Sequence, residues 1–141
     1  MVPCDYCDGP TVLVTGATLY AYRPGLSRRL ATKNFWKCDP CQAWVGCHPG
    51  TATPLGRLAK ADLRRAKMAA HDAFDALWRG KMRRDRCSQR EARSAGYKWL
   101  QEQMGLSPER CHIGMMDVDE CRRVVEVCEP HLPKTNPAAK F

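Results

Sequence analysis

The spacing of apolar positions changes near residue 57. Ahead of it, short runs of β-branched and aromatic residues alternate with turn formers. Thr11-Val12-Leu13-Val14, Leu19-Tyr20-Ala21-Tyr22 and Asn34-Phe35-Trp36-Lys37 predict three strands, and Ala43-Trp44-Val45-Gly46 a fourth. Gly16 reads as the turn between the first two, and Arg23-Pro24-Gly25 as the end of the second. Residues 49–56 hold two prolines and two glycines and read as a connector.

From residue 57 the period becomes helical. Leu63, Ala66, Ala70, Phe74 and Leu77 recur at intervals of three and four, predicting a helix over 59–79 that Gly80 ends. Ser88 and Glu91 have capping-box spacing, with Ala92, Ala95, Trp99 and Leu100 inward and Gly105 as the stop. Ser107-Pro108 starts one further turn. Asp117 and Glu120 form a second capping box, followed by Val118, Cys121, Val125 and Cys128 on one face, and Glu129-Pro130 ends that helix.

Two cysteine pairs give the first segment its chemistry. Cys4-Asp5-Tyr6-Cys7 and Cys38-Asp39-Pro40-Cys41 are CxxC motifs with 30 residues between them. A two-residue gap lets both thiolates of a pair face one ion across a tight turn, and two such turns complete a tetrahedron. One structural Zn2+ held by Cys4, Cys7, Cys38 and Cys41 is therefore expected. A redox dithiol would explain one pair but not its match. Such a site adds about 10–16 kcal/mol of binding energy to folding, which a lobe of this size needs because its own core is small. Four thiolates also close the ion to water, so it has no catalytic vacancy.

The predicted architecture is α+β. A zinc ribbon-like lobe spans residues 1–50, packed with a bundle of about three helices in a basic helical lobe over 51–128. A mobile tail is expected over 129–141.

Nine cysteines, an odd number, argue against a disulfide framework and for metal binding in a reducing compartment. The chain start lacks the basic-then-apolar stretch of a secretion signal, and no apolar run is long enough to span a membrane. A cytoplasmic location and no membrane partner are expected. Cys47-His48 and Cys111-His112 offer a possible secondary site, together with His71. Residues of these types are more often buried cysteines and hydrogen-bonded histidines. Cys121 and Cys128 read as core. Cys87 lies in a basic loop, where a reactive role is the lesser reading.

Charge adds a second function class. The net charge is +8, and residues 51–105 hold thirteen Lys/Arg against six Asp/Glu. Arg79, Lys81, Arg83, Arg84 and Arg86 fall within eight residues, and Lys60, Arg64, Lys67 and His71 follow at helical spacing. With Trp78, Tyr97 and Trp99 nearby, the segment suits phosphates and exposed bases. It equally suits an acidic protein partner or a solvated face. His71 with Asp75 one turn later matches a general base held by a carboxylate, and equally a surface pair. Convergence of His48, His71 and His112 would make a phosphodiesterase-like site. No paired-carboxylate motif, Gly-rich phosphate loop or nucleophile elbow accompanies them, so catalysis stands behind binding.

These residues carry a resemblance. Cys4-x-x-Cys7, Trp36-x-Cys38-x-x-Cys41-x-Ala43-x-Val45-Gly46-Cys47-His48 and Pro54-Leu55-Gly56-x-Leu58-Ala59 resemble a family of small phage and bacterial proteins described only as zinc-finger-containing. The match continues through Leu63-Arg64, Ala70-His71, Phe74-Asp75, Leu77-Trp78, Ala95-x-Tyr97-x-Trp99-Leu100 and Cys111-His112-Ile113-Gly114. The resemblance implies zinc and a phage or prophage origin, hence a host cytoplasm, and leaves activity open. Residues 80–93 depart from it in being unusually basic. The expected function is a phage-type accessory protein that binds nucleic acid, with an effector that binds and redirects a host protein as the alternative.

Overall fold

A computed structural model describes residues 2–132. It is α+β and divides into two compact units, Met1–Arg64 and Arg65–Phe141. The first unit is built on a three-stranded antiparallel meander in the order β1 (Val12–Thr15), β2 (Asn34–Cys38), β3 (Ala43–Gly46). Val12 pairs with Lys37 and Thr15 with Asn34, while Phe35 faces Gly46 and Cys38 faces Ala43. The β2–β3 turn is thus the second CxxC motif itself. The first motif sits in a similar turn, bracketed by a bridge between Pro3 and Pro10.

The strand expected at 19–22 does not form. Gly16–Leu19 is a single helical turn, α1, and a second short helix, α2 (Arg28–Thr32), starts at Ser27, whose Oγ accepts from the Leu30 amide at 3.2 Å. Both neighbouring places beside β2 are already taken by β1 and β3. Tyr20 instead lies edge-on to Phe35 and Trp44, with ring centroids 6.0 and 6.5 Å away. Gly16 donates its amide to the Lys33 carbonyl at 2.9 Å. Its Cα approaches the Leu30 carbonyl so closely that a methyl there would lie 1.8 Å from the oxygen.

Residues 49–60 do not separate two lobes at residue 50. They return to the sheet, bridging Cys47 to Pro54 and Trp44 to Ala59, and the boundary between units falls at Arg64. Backbone pairing to β3 satisfies amides that a free connector would leave to water.

The second unit carries α3 (Ala61–Asp85, whose first turn belongs to the first unit), α4 (Gln89–Met104) and α5 (Val118–Cys128). Short 3-10 turns occupy Ile113–Met115 and Glu129–His131. Gly80 does not end α3, which runs on to Asp85. One glycine costs a helix about 1 kcal/mol relative to alanine, too little to stop a segment continued by Lys81, Met82, Arg83 and Arg84. A Lys81–Asp85 pair at 2.8 Å supports the last turn. A methyl at Gly80 meets only the tip of Arg83, at 4.0 Å. Gly80→Ala is therefore expected to raise stability by about 0.5–1 kcal/mol, read as a higher denaturant midpoint with an unchanged slope. A lower midpoint would show that the glycine is required there.

Ser88 caps α4 by accepting from the Glu91 amide at 3.1 Å, and Gly105 closes it at φ +66°. Asp117 and Glu120 complete the reciprocal box on α5. On α5 the buried side chains are Cys121, Val124 and Cys128; Val124 takes the place expected for Val125. On α4, Ala95 is exposed and Trp99 half-buried, so the inward stripe is Ala92, Leu100 and Met104. The tail expected to be mobile begins with the 3-10 turn at 129–131, and its remainder past residue 132 lies outside the described residues.

Candidate metal centre

Cys4 and Cys7 come from the loop before β1, Cys38 from the end of β2, and Cys41 from the turn that follows. Their four sulfurs lie within 4.8 Å of one another, and the Cys7 and Cys38 Sγ atoms are 3.7 Å apart. Tetrahedral bonds of about 2.3 Å to zinc require sulfur separations of about 3.8 Å. The donors thus already stand near the edges of the required tetrahedron.

The two turns share a construction. The residue after each second cysteine, Asp8 at φ +59° and Gln42 at φ +51°, is left-handed. In the first turn two amides face sulfur: Tyr6 N–H points to Cys4 Sγ and, just after the Asp8 reversal, Gly9 N–H to Cys7 Sγ, both at 3.4 Å. Gln42 also ties its side-chain amide to the Asp39 carbonyl at 2.6 Å. Asp is among the few non-glycine residues that enter the left-handed region readily, and Gln42 is held there by its bond to Asp39.

The residues between the first pair of ligands anchor the turn. Asp5 Oδ2 accepts from the Leu58 amide at 2.6 Å, and the Tyr6 hydroxyl accepts from the Lys60 amide at 3.0 Å. Lys60 places its ammonium 4.7 Å from the Tyr6 ring centroid. Below lies a small core of Cys4, Cys38, Ala43, Val45 and Leu58, with Trp36 and Val2 against it. Trp36 completes its polar edge by donating Nε1–H to the Ala52 carbonyl at 2.6 Å.

Electrostatics point to a cation. Burial works to raise the Cys4 thiol, but the amides of Cys7 and Tyr6 outweigh it and hold it below its usual value. Cys41 is pushed up to about 12, first by its hydrogen bond to Cys7, then by burial and the sulfurs of Cys38 and Cys4. Four thiolates at this spacing repel one another, and a divalent ion at their centre removes that penalty. The donor set is soft, four-fold and closed, which suits one structural zinc.

A family model for a zinc-finger-containing domain matches residues 1–131. The chain belongs to that family. No curated protein and no solved structure matches the chain. In this zinc-finger-containing domain the two CxxC turns are the finger, and Cys4, Cys7, Cys38 and Cys41 can hold one zinc ion.

Among the described residues, the four N-terminal cysteines are the one group of three or more metal-ligating side chains gathered together. No such group forms around Cys47, His48, His71, Cys111 or His112. Cys47 and Cys111 are buried, and burial raises both thiols. Cys128 is likewise raised to about 11 by burial, as expected for a core thiol. Cys121, two turns earlier on α5, is fully buried as well. The exposed His48 shapes a turn through its backbone, donating to Thr53 and accepting from Thr51. His112 is exposed, its ring 6.0 Å from that of Tyr97. Cys87 is half-buried, with its sulfur 4.0 Å from the Lys81 carbonyl.

The expected His71–Asp75 pair is replaced. His71 Nδ1–H donates to the Lys67 carbonyl at 2.9 Å, while Asp75 accepts from Trp78 Nε1 at 2.8 Å and lies 4.0 Å from Arg79. The N–H of a buried indole needs an acceptor, and Asp75 one turn earlier supplies it.

The basic residues divide by partner. Lys60 precedes α3. Arg64 stacks 3.6 Å from the Trp44 centroid and donates to the Ala59 carbonyl at 2.6 Å, so its planar group serves the first unit. Lys67 lies on α3 near His71. Lys81 and Arg84 share Asp85, at 2.8 and 3.1 Å, which holds that carboxyl down at about 2. Arg79 is 59 % exposed, and Arg83 and Arg86 are exposed at the end of α3 and just beyond it.

Proposed function

We propose that this chain is a zinc-stabilised accessory protein of phage type that binds nucleic acid through its basic helical segment. The observation that carries the reading is the extension of α3 through Gly80. It sets Arg79, Lys81, Arg83 and Arg84 on a continuous helix instead of a loose loop. Arg86 follows at φ +52°, and Arg90 and Arg93 open the next helix. Exposed ion pairs contribute only about 0–1 kcal/mol. Phosphates can therefore displace Asp85 from Lys81 and Arg84 at little cost, and Arg83 and Arg86 are accessible. Arg64, grouped with them by sequence along with Lys60 and Lys67, fits this role less well, because it is committed to Trp44.

The logarithm of the affinity for a single-stranded oligonucleotide is expected to fall linearly with the logarithm of salt, with a slope of about 0.7 per phosphate contacted. Arg83→Gln together with Arg86→Gln is expected to flatten that slope by about 1 to 1.5. A titration without salt dependence, or no binding at low salt, would rule the reading out.

A protein partner in the host is the second reading. Val12 and Leu13, 54 % and 41 % exposed on the outer strand β1, and the wholly exposed Tyr22 favour it. Recovery of one stoichiometric, nuclease-resistant partner from the host would replace the first reading by the second.

A further inference from the structure

A groove in the second unit joins features that zinc binding does not use. It has a volume of about 390 Å³ and is lined by His71, Asp75, Trp78, Arg79 and Met82 of α3 and by Gln89 and Arg93 of α4. Two guanidinium groups border it around one indole: Arg79 lies 5.1 Å and Arg93 5.9 Å from the Trp78 centroid. Arg93 is equally 5.9 Å from the Tyr97 ring. Among the described residues no carboxylate pairs with Arg93 within salt-bridge distance, while Asp75 is engaged by the Trp78 N–H and by Arg79. The charged groups facing the groove are thus two arginines and one carboxylate already in use. His71 adds a ring whose Nδ1–H is spent on Lys67, which presents Nε2 as the remaining polar atom.

We propose that this groove binds a nucleoside phosphate, with the phosphate held by Arg79 and Arg93 and the base against Met82 and the small edge of the buried Trp78 that borders the groove. The guanidinium fork matches phosphate oxygens. The volume lies within the range of small-molecule sites, about 300–1,000 Å³, and exceeds what a lone phosphate fills. An aromatic and a thioether side chain beside the arginines suit a flat, polarisable ring, and the Gln89 amide offers a donor and an acceptor to its edge. Asp75 acts by fixing the indole and steadying Arg79, and is a positioning residue. The inference rests on the reading of the basic segment as a phosphate-binding surface and gives that surface one defined seat. The nucleoside phosphate has two possible sources, a free mononucleotide or the phosphorylated end of a strand.

The test uses the full, zinc-loaded chain and thymidine monophosphate, read by NMR on the Trp78 indole N–H and the His71 ring. Saturable shifts are expected in both. Arg93→Gln is expected to weaken binding at least about tenfold, the size of one lost charge-assisted hydrogen bond. Arg83→Gln, outside the groove, is expected to change it little. Thymidine without phosphate and inorganic phosphate alone are each expected to bind more weakly. Competition by a 5′-phosphorylated oligothymidylate, but not by its unphosphorylated form, would assign the site to strand ends; competition by neither would assign it to free nucleotides. Absence of saturable shifts, an equal loss in Arg83→Gln, or equal binding of inorganic phosphate would overturn the proposal. The nucleic-acid reading fails separately, if oligonucleotides do not bind at low salt while thymidine monophosphate still shifts Trp78.

Discussion

Cys38→Ser is expected to release the metal and abolish the ordered structure of β2 and β3. Cys38 is 1 % exposed, belongs to the small core of the first unit, and has the Cys7 sulfur 3.7 Å away. Serine offers a hard oxygen with a far higher pKa, so the fourth ligand is lost in practice. Structural zinc in such sites is worth about 10–16 kcal/mol at neutral pH, more than the whole stability of many domains, about 5–15 kcal/mol. The core of Cys4, Cys38, Ala43, Val45 and Leu58 is partly made of the ligands themselves. Little remains when the ion leaves. A chelator should do the same to the native chain, and so should acid, because protons compete with zinc for the thiolates. Amide NMR signals from residues 34–46 report the effect. If they stay dispersed in the variant or in excess chelator, the first unit does not depend on metal.

Gly16→Ala is expected to destabilise the same unit without touching the metal ligands. The added methyl would stand 1.8 Å from the Leu30 carbonyl oxygen and 2.7 Å from its carbon. Both are backbone atoms of α2, so no side chain can swing aside. The Gly16 amide is fixed to the Lys33 carbonyl, which denies the other partner an easy retreat. Overpacking of this kind costs at least about 1–3 kcal/mol. Each kcal/mol lowers the melting midpoint of a small domain by roughly 4–8 °C. A zinc-loaded variant that melts with the parent chain would show that α2 moves freely against α1.

The sequence made the metal centre readable because its logic is local. Two CxxC motifs can be seen without knowing the path between them, and their turns need only Asp8 and Gln42 to reverse the chain. The strands at 34–37 and 43–46 were legible for the same reason, since the second motif joins them as a hairpin. What was not legible depended on distant partners. Leu19-Tyr20-Ala21-Tyr22 has strand composition, but whether it pairs depends on which places beside β2 are free. Gly16 reads as a turn former, whereas its absent side chain answers to Leu30, fourteen residues on. Ser27 ahead of Arg28–Thr32 was the one available sign of α2. Gly80 misled in the other direction: a glycine stops a helix only when the next residues do not favour continuing, and here the Lys81–Asp85 pair does. His71 and Asp75 had the spacing of a pair, but Trp78 and the Lys67 carbonyl each offered a better-placed partner.

Native mass spectrometry of the purified chain counts the metal. One zinc ion per chain is expected, bound with loss of thiol protons and absent after Cys38→Ser. A chain that carries no zinc when purified without chelators, or that keeps its zinc in the Cys38→Ser variant, would contradict the four-sulfur centre on which the first unit is built.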